Sequence, residues 1–183
     1  NALPNAGFGY MNGRGFTLEI LKEFNIGFSL VGDPAFNSFI KTENKEVLVL
    51  ADLVKEKENG LQPTFFNRVM FPIEDDRGRV LGFGGRTLNP NDKAFKYLNT
   101  SETQVFHKRK LLFGIKQAVE EIKKKKHVII TEGYTDVMMM HQHGYKNAVA
   151  VLGTALTADH LRLVKRFCKE AVLLLDGDDA GRN

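Results

Sequence analysis

The chain has 183 residues, 43% of them hydrophobic and 26% charged, enough for one large domain or two small ones with a sizeable core. No apolar run approaches the roughly 18 residues that cross a bilayer, and the start, NALPNAGFGYMNGRG, lacks a secretory layout, so no membrane partner and a cytoplasmic location are expected. The lone cysteine, Cys168, excludes an internal disulfide and a thiolate zinc site and reads as a buried structural thiol, while a net charge of +4 permits a nucleic-acid partner without demanding one.

In chain order, the first stretch reads as irregular. Thr17 to Phe24 (TLEILKEF) then forms a short helix capped by Thr17, with Leu18, Leu21 and Phe24 on one face. A further helix is expected over Glu46 to Glu58, ending near Asn59-Gly60. Arg68 to Ile73 and Arg79 to Arg86 read as two strands of an antiparallel hairpin joined by the polar run EDDRG. A loop-rich passage from Asn89 to Lys110 follows, and a helix over Ile115 to Lys125 closes this half. From Lys123 onward strand and helix alternate: HVIIT, TDVMMMHQHG, NAVAVLG, TADHLRLVKRFC with Thr157 as cap, and EAVLLLD. That alternation predicts a parallel sheet with crossover helices, its apolar strands covered on both faces. The fold class is therefore α/β, with a mixed α+β lobe over 1–122 and a parallel, Rossmann-like sheet over 123–183. Both ends of the chain read as boundaries inside a longer protein.

Two strands of this sheet run into acid. The first ends at Glu132, in Glu132-Gly133-Tyr134-Thr135-Asp136, and the last at Asp176-Gly177-Asp178-Asp179. Ligands of open parallel sheets bind beyond the carboxyl ends of the strands, where such acids converge. Crowded carboxylates repel one another, and a bound hard cation resolves the repulsion. With oxygen ligands only, Mg²⁺ or Mn²⁺ is favoured over zinc, and such a site suits phosphoryl chemistry. The alternative is that these acids are solvated or, like Asp136, favour the start of a helix.

Lys93, Lys96, Lys108, Arg109 and Lys110 fall in the loop-rich passage, interleaved with Phe95, Tyr97 and Phe106. Either these cations and rings hold single-stranded DNA through phosphates and stacked bases, or the cations are solvated and the rings belong to the core. Lys123 to Lys126 read as a solvated helix end. GFGGR lacks a P-loop lysine and sits in a hairpin, so its glycines serve close packing and Arg86 is its candidate functional group. Met138 to Met140 read as core filling, and His141 and His143 point different ways on a helix, which argues against a metal pair.

EGYTD followed by LLLDGDDAGR resembles the Toprim domain of primases, topoisomerases and some nucleases. The intervening AVAVLGTALTADHLRLV narrows the resemblance to DnaG-type primases, and RVMFPI, GRVLGFGGR, KYLNTSET and FHK in the first half resemble primase segments in the primase order. The resemblance implies template-directed synthesis of short RNA primers on single-stranded DNA from ribonucleoside triphosphates, with Mg²⁺ or Mn²⁺. It implies Glu132 as metal ligand or general base, Asp176 and Asp178 as metal ligands, and Asp136 as support. Arg86, Lys96, Tyr97, Asn99 and Lys108 are implied as contacts to template or nucleotide, which tips the basic passage towards binding. It further implies that the Toprim domain is incomplete here, before a third acidic motif. A zinc-binding domain and a replicative-helicase-binding domain are implied in other parts of the protein. Two departures stand out: Asn99-Thr100-Ser101-Glu102-Thr103 where the family often has NSPET, which should loosen the turn slightly, and Thr135 where EGYMD is usual. The alternatives are a Toprim nuclease and a non-catalytic single-stranded DNA-binding module.

Overall fold

The computed structural model describes residues 5–30, 32–89 and 96–175. Asn5–Gly13 is a helix, α1, where the sequence reads as irregular. Gly15, with φ +88°, turns the chain into α2, Leu18–Glu23. The Thr17 side chain caps α2 by accepting from the Ile20 N–H at 3.4 Å. Its buried face is Ile20, Leu21 and Phe24; Leu18, expected on that face, sits in the first turn and stays exposed.

Strand β1 (Gly27–Ser29) precedes α3 (Pro34–Thr42) and α4 (Lys45–Leu50). The expected helix over Glu46 to Glu58 is therefore half its length. Asp52 ends it: its φ of +55° is left-handed, and its carboxylate is tied to the Ser101 N–H at 2.7 Å and to Lys55. The rest becomes a hairpin of β2 (Val54–Lys57) and β3 (Gly60–Pro63), pairing Lys57 with Gly60, so Asn59-Gly60 marks a hairpin turn and not a helix stop. The same Ser101 contact corrects the expectation of a loosened turn. A proline has no N–H to give Asp52, so serine here ties the turn down.

β4 (Arg68–Glu74) and β5 (Val80–Thr87) form the expected hairpin. Asp75 closes its turn by accepting from the Arg77 and Arg79 N–H groups at 3.0 and 2.9 Å. β6 (Tyr97–Asn99), inside the passage read as loop, pairs with β5 and completes a sheet in the order β1-β4-β5-β6. After a single 3₁₀ turn at Lys108–Lys110, α5 (Ile115–Lys125) buries Ile115, Ala118, Val119 and Ile122 and ends in the exposed lysines, closed by left-handed Lys126.

The second half follows the expected alternation: β7 (His127–Thr131), α6 (Tyr134–Gln142), β8 (Ala148–Ala150), α7 (Ala158–Val164) and β9 (Glu170–Leu173). β8 and β9 both run parallel to β7, in the order β8-β7-β9. α7 stops short of Cys168, which is buried after a turn. β9 is an edge strand with Val172 and Leu173 about half exposed, so among the described residues the expected cover of both faces is incomplete there.

One core crosses both halves. Phe71 of β4 stacks on Tyr134 of α6 at 4.9 Å between ring centroids, and Phe113 meets Tyr134 edge-on at 4.8 Å. Phe113 also exchanges backbone hydrogen bonds with Ala150, and Phe24 stacks on Phe113 at 5.4 Å. At the outer end of α6 the Gln142 carboxamide donates to the Gly15 carbonyl at 2.8 Å and accepts from the Thr17 N–H at 2.9 Å. These contacts fix α6 against the first sheet and so fix the groove between them.

Candidate active site

β5 and β6 carry one wall of that groove. Arg86 lies directly opposite Tyr97 across the two strands. β7 and the start of α6 carry the other: the chain leaves β7 at Thr131, passes Glu132, and turns at Gly133 into α6, whose first turn holds Asp136. The resulting cleft, about 370 Å³, is lined by Arg86, Lys96, Tyr97, Asn99, Glu132 and Asp136 together with Arg14, Tyr134 and the Val151 to Gly153 turn after β8. All six are candidates from the sequence, four as acids or cations and two, Tyr97 and Asn99, as neutral neighbours. Asp176 and Asp178, like Lys93, Phe95 and Asp179, lie outside the described residues. The described chain reaches Leu175 beyond β9; the Ile130–Leu173 pairing carries it to the same end of the sheet as Glu132.

The local sequence explains the shape. Gly133 has to be small, because a methyl group there would stand 2.6 Å from Asp136 Oδ2. The Asp136 carboxylate thus folds back over the first turn of α6, where the helix dipole also favours it. The glycines of GFGGR make room for rings, as expected. A methyl at Gly82 would meet Phe106 at 2.6 Å, at Gly84 the Tyr134 ring at 2.6 Å, and at Gly85 Phe65 at 2.8 Å. Phe106 is fully buried by this packing, so of the two readings of the aromatic passage the core reading holds for Phe106 and base stacking is ruled out. Tyr97 is 38% exposed and remains at the cleft.

Asn99 faces protein. Its Oδ1 accepts from the Tyr134 hydroxyl at 2.6 Å and its Nδ2 donates to the Leu152 carbonyl at 3.2 Å, so it braces β6 against α6 and the turn after β8. Burial pushes the Tyr134 phenol up, with Tyr97 adding to the effect, so this hydroxyl is a fixed neutral donor at any working pH. Lys108 does not line the cleft. Its backbone carbonyl meets His160 Nε2 at 3.0 Å, and the neighbouring Arg109 and Lys110 line a separate groove with Arg162 at α7. Sequence reasoning gave no role to Tyr134, Arg14 or Tyr10. Tyr134 lies inside the EGYTD segment itself, whereas Tyr10 comes from α1 and Arg14 from the turn that follows it, far from any motif.

Both buried histidines, His141 and His160, are held by hydrogen bonds. His160 Nδ1 accepts from the Thr157 N–H at 3.1 Å while its other nitrogen meets Lys108, a pairing that uses the neutral ring. His141 is buried, with Nε2 at 3.0 Å from the Ala148 carbonyl, and His143 is exposed. Burial pushes both buried imidazoles below the ordinary value, against hydrogen bonds and carboxylates that favour the charged form. Their depressed folded values mean that the unfolded chain takes up protons first on acidification. The stability they contribute is complete above about pH 6.5 and is lost as pH falls through the folded-state values. Urea midpoints should accordingly drop between pH 7.5 and 5.5, and the drop should shrink in His141→Gln; an identical drop in that variant would remove His141 from the account.

Glu132 and Asp136 offer only carboxylate oxygens, the donor type for a hard divalent cation. Among the described residues no group of three or more His, Cys, Asp or Glu side chains is close enough to hold a metal ion.

An antiparallel lobe sharing a core with a parallel sheet, with carboxylates at a strand end facing cations from that lobe, defines the class of Toprim-containing catalytic cores. Residues 126–183 match the model of the Toprim domain, and residues 3–119 match the DNA primase catalytic core, N-terminal domain. The chain belongs to the DnaG-type primase catalytic-core family. It is 43% identical over 176 residues to the DNA primase of Helicobacter pylori, covering 95% of this chain and 31% of that protein. The DNA primase of Deinococcus radiodurans is 41% identical, covering 98% and 32%. The fold matches the RNA polymerase domain of the Mycobacterium tuberculosis primase DnaG with a TM-score of 0.88 at 35% identity, over 97% of this chain and 60% of that one. It matches a DnaG primase catalytic domain bound to ssDNA with a TM-score of 0.87 at 40% identity, over 97% and 56%. The chain thus spans about a third of the length of the curated relatives it matches. No helix among the described residues is long and apolar enough to cross a membrane.

Proposed function

We propose that this chain carries the nucleotidyl-transfer centre of a primase, joining ribonucleotides into short RNA primers on a single-stranded DNA template. The observation that carries the reading is the single cleft in which Glu132 and Asp136, at the end of the parallel sheet, share walls with Arg14, Arg86 and Lys96 from the antiparallel lobe. Acids and cations so arranged suit a bound divalent ion on one side and polyanionic substrates on the other. Glu132, with Asp176 and Asp178, would hold Mg²⁺ or Mn²⁺, which supplies charge neutralisation at a transferring phosphoryl group. Arg86 and Lys96 bind phosphate, Tyr97 offers a half-exposed ring to a base, and Asp136 and Asn99 hold the walls. Lys108, beside the groove at α7, contacts the template further along. The division at 122/123 is part of the same reading: a lobe that binds nucleic acid and a lobe that holds the metal. The relative bound to ssDNA supports the choice of template. Helicase contact, zinc and a cytoplasmic setting belong in this reading to the full-length protein.

The test is to give the full-length protein single-stranded DNA, labelled ribonucleoside triphosphates and Mg²⁺. Short RNA supports the reading. Cut DNA without RNA would replace it with a nuclease, and binding without chemistry would replace it with a binding module. For the cations, Lys96→Ala with Lys108→Ala should weaken single-stranded DNA binding and flatten its logarithmic salt dependence by roughly 0.7 per lost phosphate contact. A slope equal to that of the unaltered protein would move the binding path elsewhere.

A further inference from the structure

Arg86 does not reach the cleft unaided. α1 and the turn that ends it place Tyr10 and Arg14 four residues apart, both at Arg86 and the end of β5. The Tyr10 hydroxyl accepts from Arg86 Nε across 76 positions of sequence, and from Arg14 Nη1 at 3.4 Å. The Arg86 guanidinium carbon lies 5.4 Å from the Tyr10 ring centroid and 4.9 Å from that of Tyr97, so the cation is held between two rings. Arg14 lies over the Tyr10 ring as well, at 5.8 Å. Ring and cation thus alternate along one edge of the cleft, in the order Arg14, Tyr10, Arg86, Tyr97. Two guanidinium groups brought to one site repel each other unless something between them is electron-rich. Tyr10 supplies both an acceptor oxygen and a ring face at that point. Using Nε for Tyr10 leaves the two Nη groups of Arg86, the fork that grips phosphate oxygens in pairs, without a hydrogen-bond partner among the described residues.

We propose that Tyr10 is a positioning residue for the phosphate-binding arginines: its hydroxyl and ring fix the Arg86 fork, and the spacing of Arg86 from Arg14, towards the triphosphate of the incoming ribonucleotide. The proposal rests on the reading of the cleft as a nucleotidyl-transfer site. It assigns a function to α1, a helix that contributes no acid and no motif. Tyr10→Phe keeps the ring and removes only the hydroxyl, so the core contact of α1 is preserved.

The experiment uses the full-length protein with Tyr10→Phe, Arg86→Ala and the double variant. It follows the KM for ribonucleotide in primer synthesis, and the equilibrium binding of a non-hydrolysable ribonucleoside triphosphate with Mg²⁺, which needs no turnover. Tyr10→Phe should raise the KM and the dissociation constant about tenfold, the usual factor for a lost hydrogen bond to a charged group, with kcat close to that of the unaltered protein. In the Arg86→Ala background the same change should have almost no further effect, because Tyr10 acts through Arg86. A Tyr10→Phe protein that binds the triphosphate normally while Arg86→Ala does not would overturn the positioning role. So would a Tyr10→Phe effect that adds in full to that of Arg86→Ala. Normal triphosphate binding by Arg86→Ala would instead sink the nucleotide-cleft reading on which the proposal stands.

Discussion

Replacing Glu132 by glutamine should reduce primer synthesis by a factor on the order of 10²–10⁴, the range for removing a group that moves a proton or anchors the reacting phosphoryl group. Glu132 follows the last residue of β7, a buried central strand, so its backbone is fixed by pairing on both sides of that strand. Glutamine matches glutamate in shape and keeps an oxygen and a hydrogen-bonding end, but it removes the negative charge. The variant should therefore fold normally, with an unchanged unfolding midpoint. Single-stranded DNA should bind it as well as before or slightly better, since one negative charge leaves a cleft built for phosphates. Primer synthesis within tenfold of the unaltered protein would show that Glu132 is not at the reacting centre. Loss of binding together with activity would show that it is a structural group.

Gly84→Ala should be the most damaging of the glycine replacements near the cleft. Gly84 lies in the middle of β5, paired with Phe71 on one side and Asn99 on the other. An added methyl would stand 2.6 Å from both the ring carbon and the hydroxyl oxygen of Tyr134. Tyr134 cannot swing away freely, because Phe71 stacks on it, Phe113 abuts it and Asn99 holds its hydroxyl. Overpacking of this kind typically costs about 1–3 kcal/mol. Moving Tyr134 also breaks the brace that keeps β6 at its distance from α6, so activity should fall with stability. Gly9→Ala, on α1 where a methyl would meet nothing within 4 Å, is the natural comparison and should stabilise slightly, by about 0.5–1 kcal/mol. Equal stabilities of the two variants by urea unfolding would contradict the packing described here.

How much of this was legible in the sequence depended on whether the cause was local. The strands of the second half announce themselves because Val128, Ile129 and Ile130 are an unbroken β-branched apolar run, as a strand covered on both faces requires, and Glu132 is legible because it is the first acid after that run. α3 was missed although Asp33 caps it and Pro34 occupies its first turn, a pairing readable without any structure. The helix expected to run to Glu58 failed for a non-local reason: Asp52 takes a left-handed conformation held by Ser101, 49 positions away. Phe106 shows the same limit, since only the three-dimensional approach of Gly82 decides that its ring is core. Within the cleft, the acids and Arg86 stood out by charge and motif. Tyr10 and Arg14 did not, because their meeting with Arg86 is made by the tertiary fold. Lys108 illustrates the converse: adjacency in sequence to cleft residues did not bring it into the cleft.

The central claim is that acids from the parallel sheet and cations from the antiparallel lobe form one centre that makes RNA on a DNA template. Its most direct test places the full-length protein and its Glu132→Gln variant side by side on a single-stranded DNA of defined sequence, with labelled ribonucleoside triphosphates, omitting Mg²⁺ or template in turn. A short, alkali-labile product complementary to the template, made only when both metal and template are present and lost in the variant, is the predicted result. A product that persists in the variant, or DNA that is cut with no RNA formed, would contradict it.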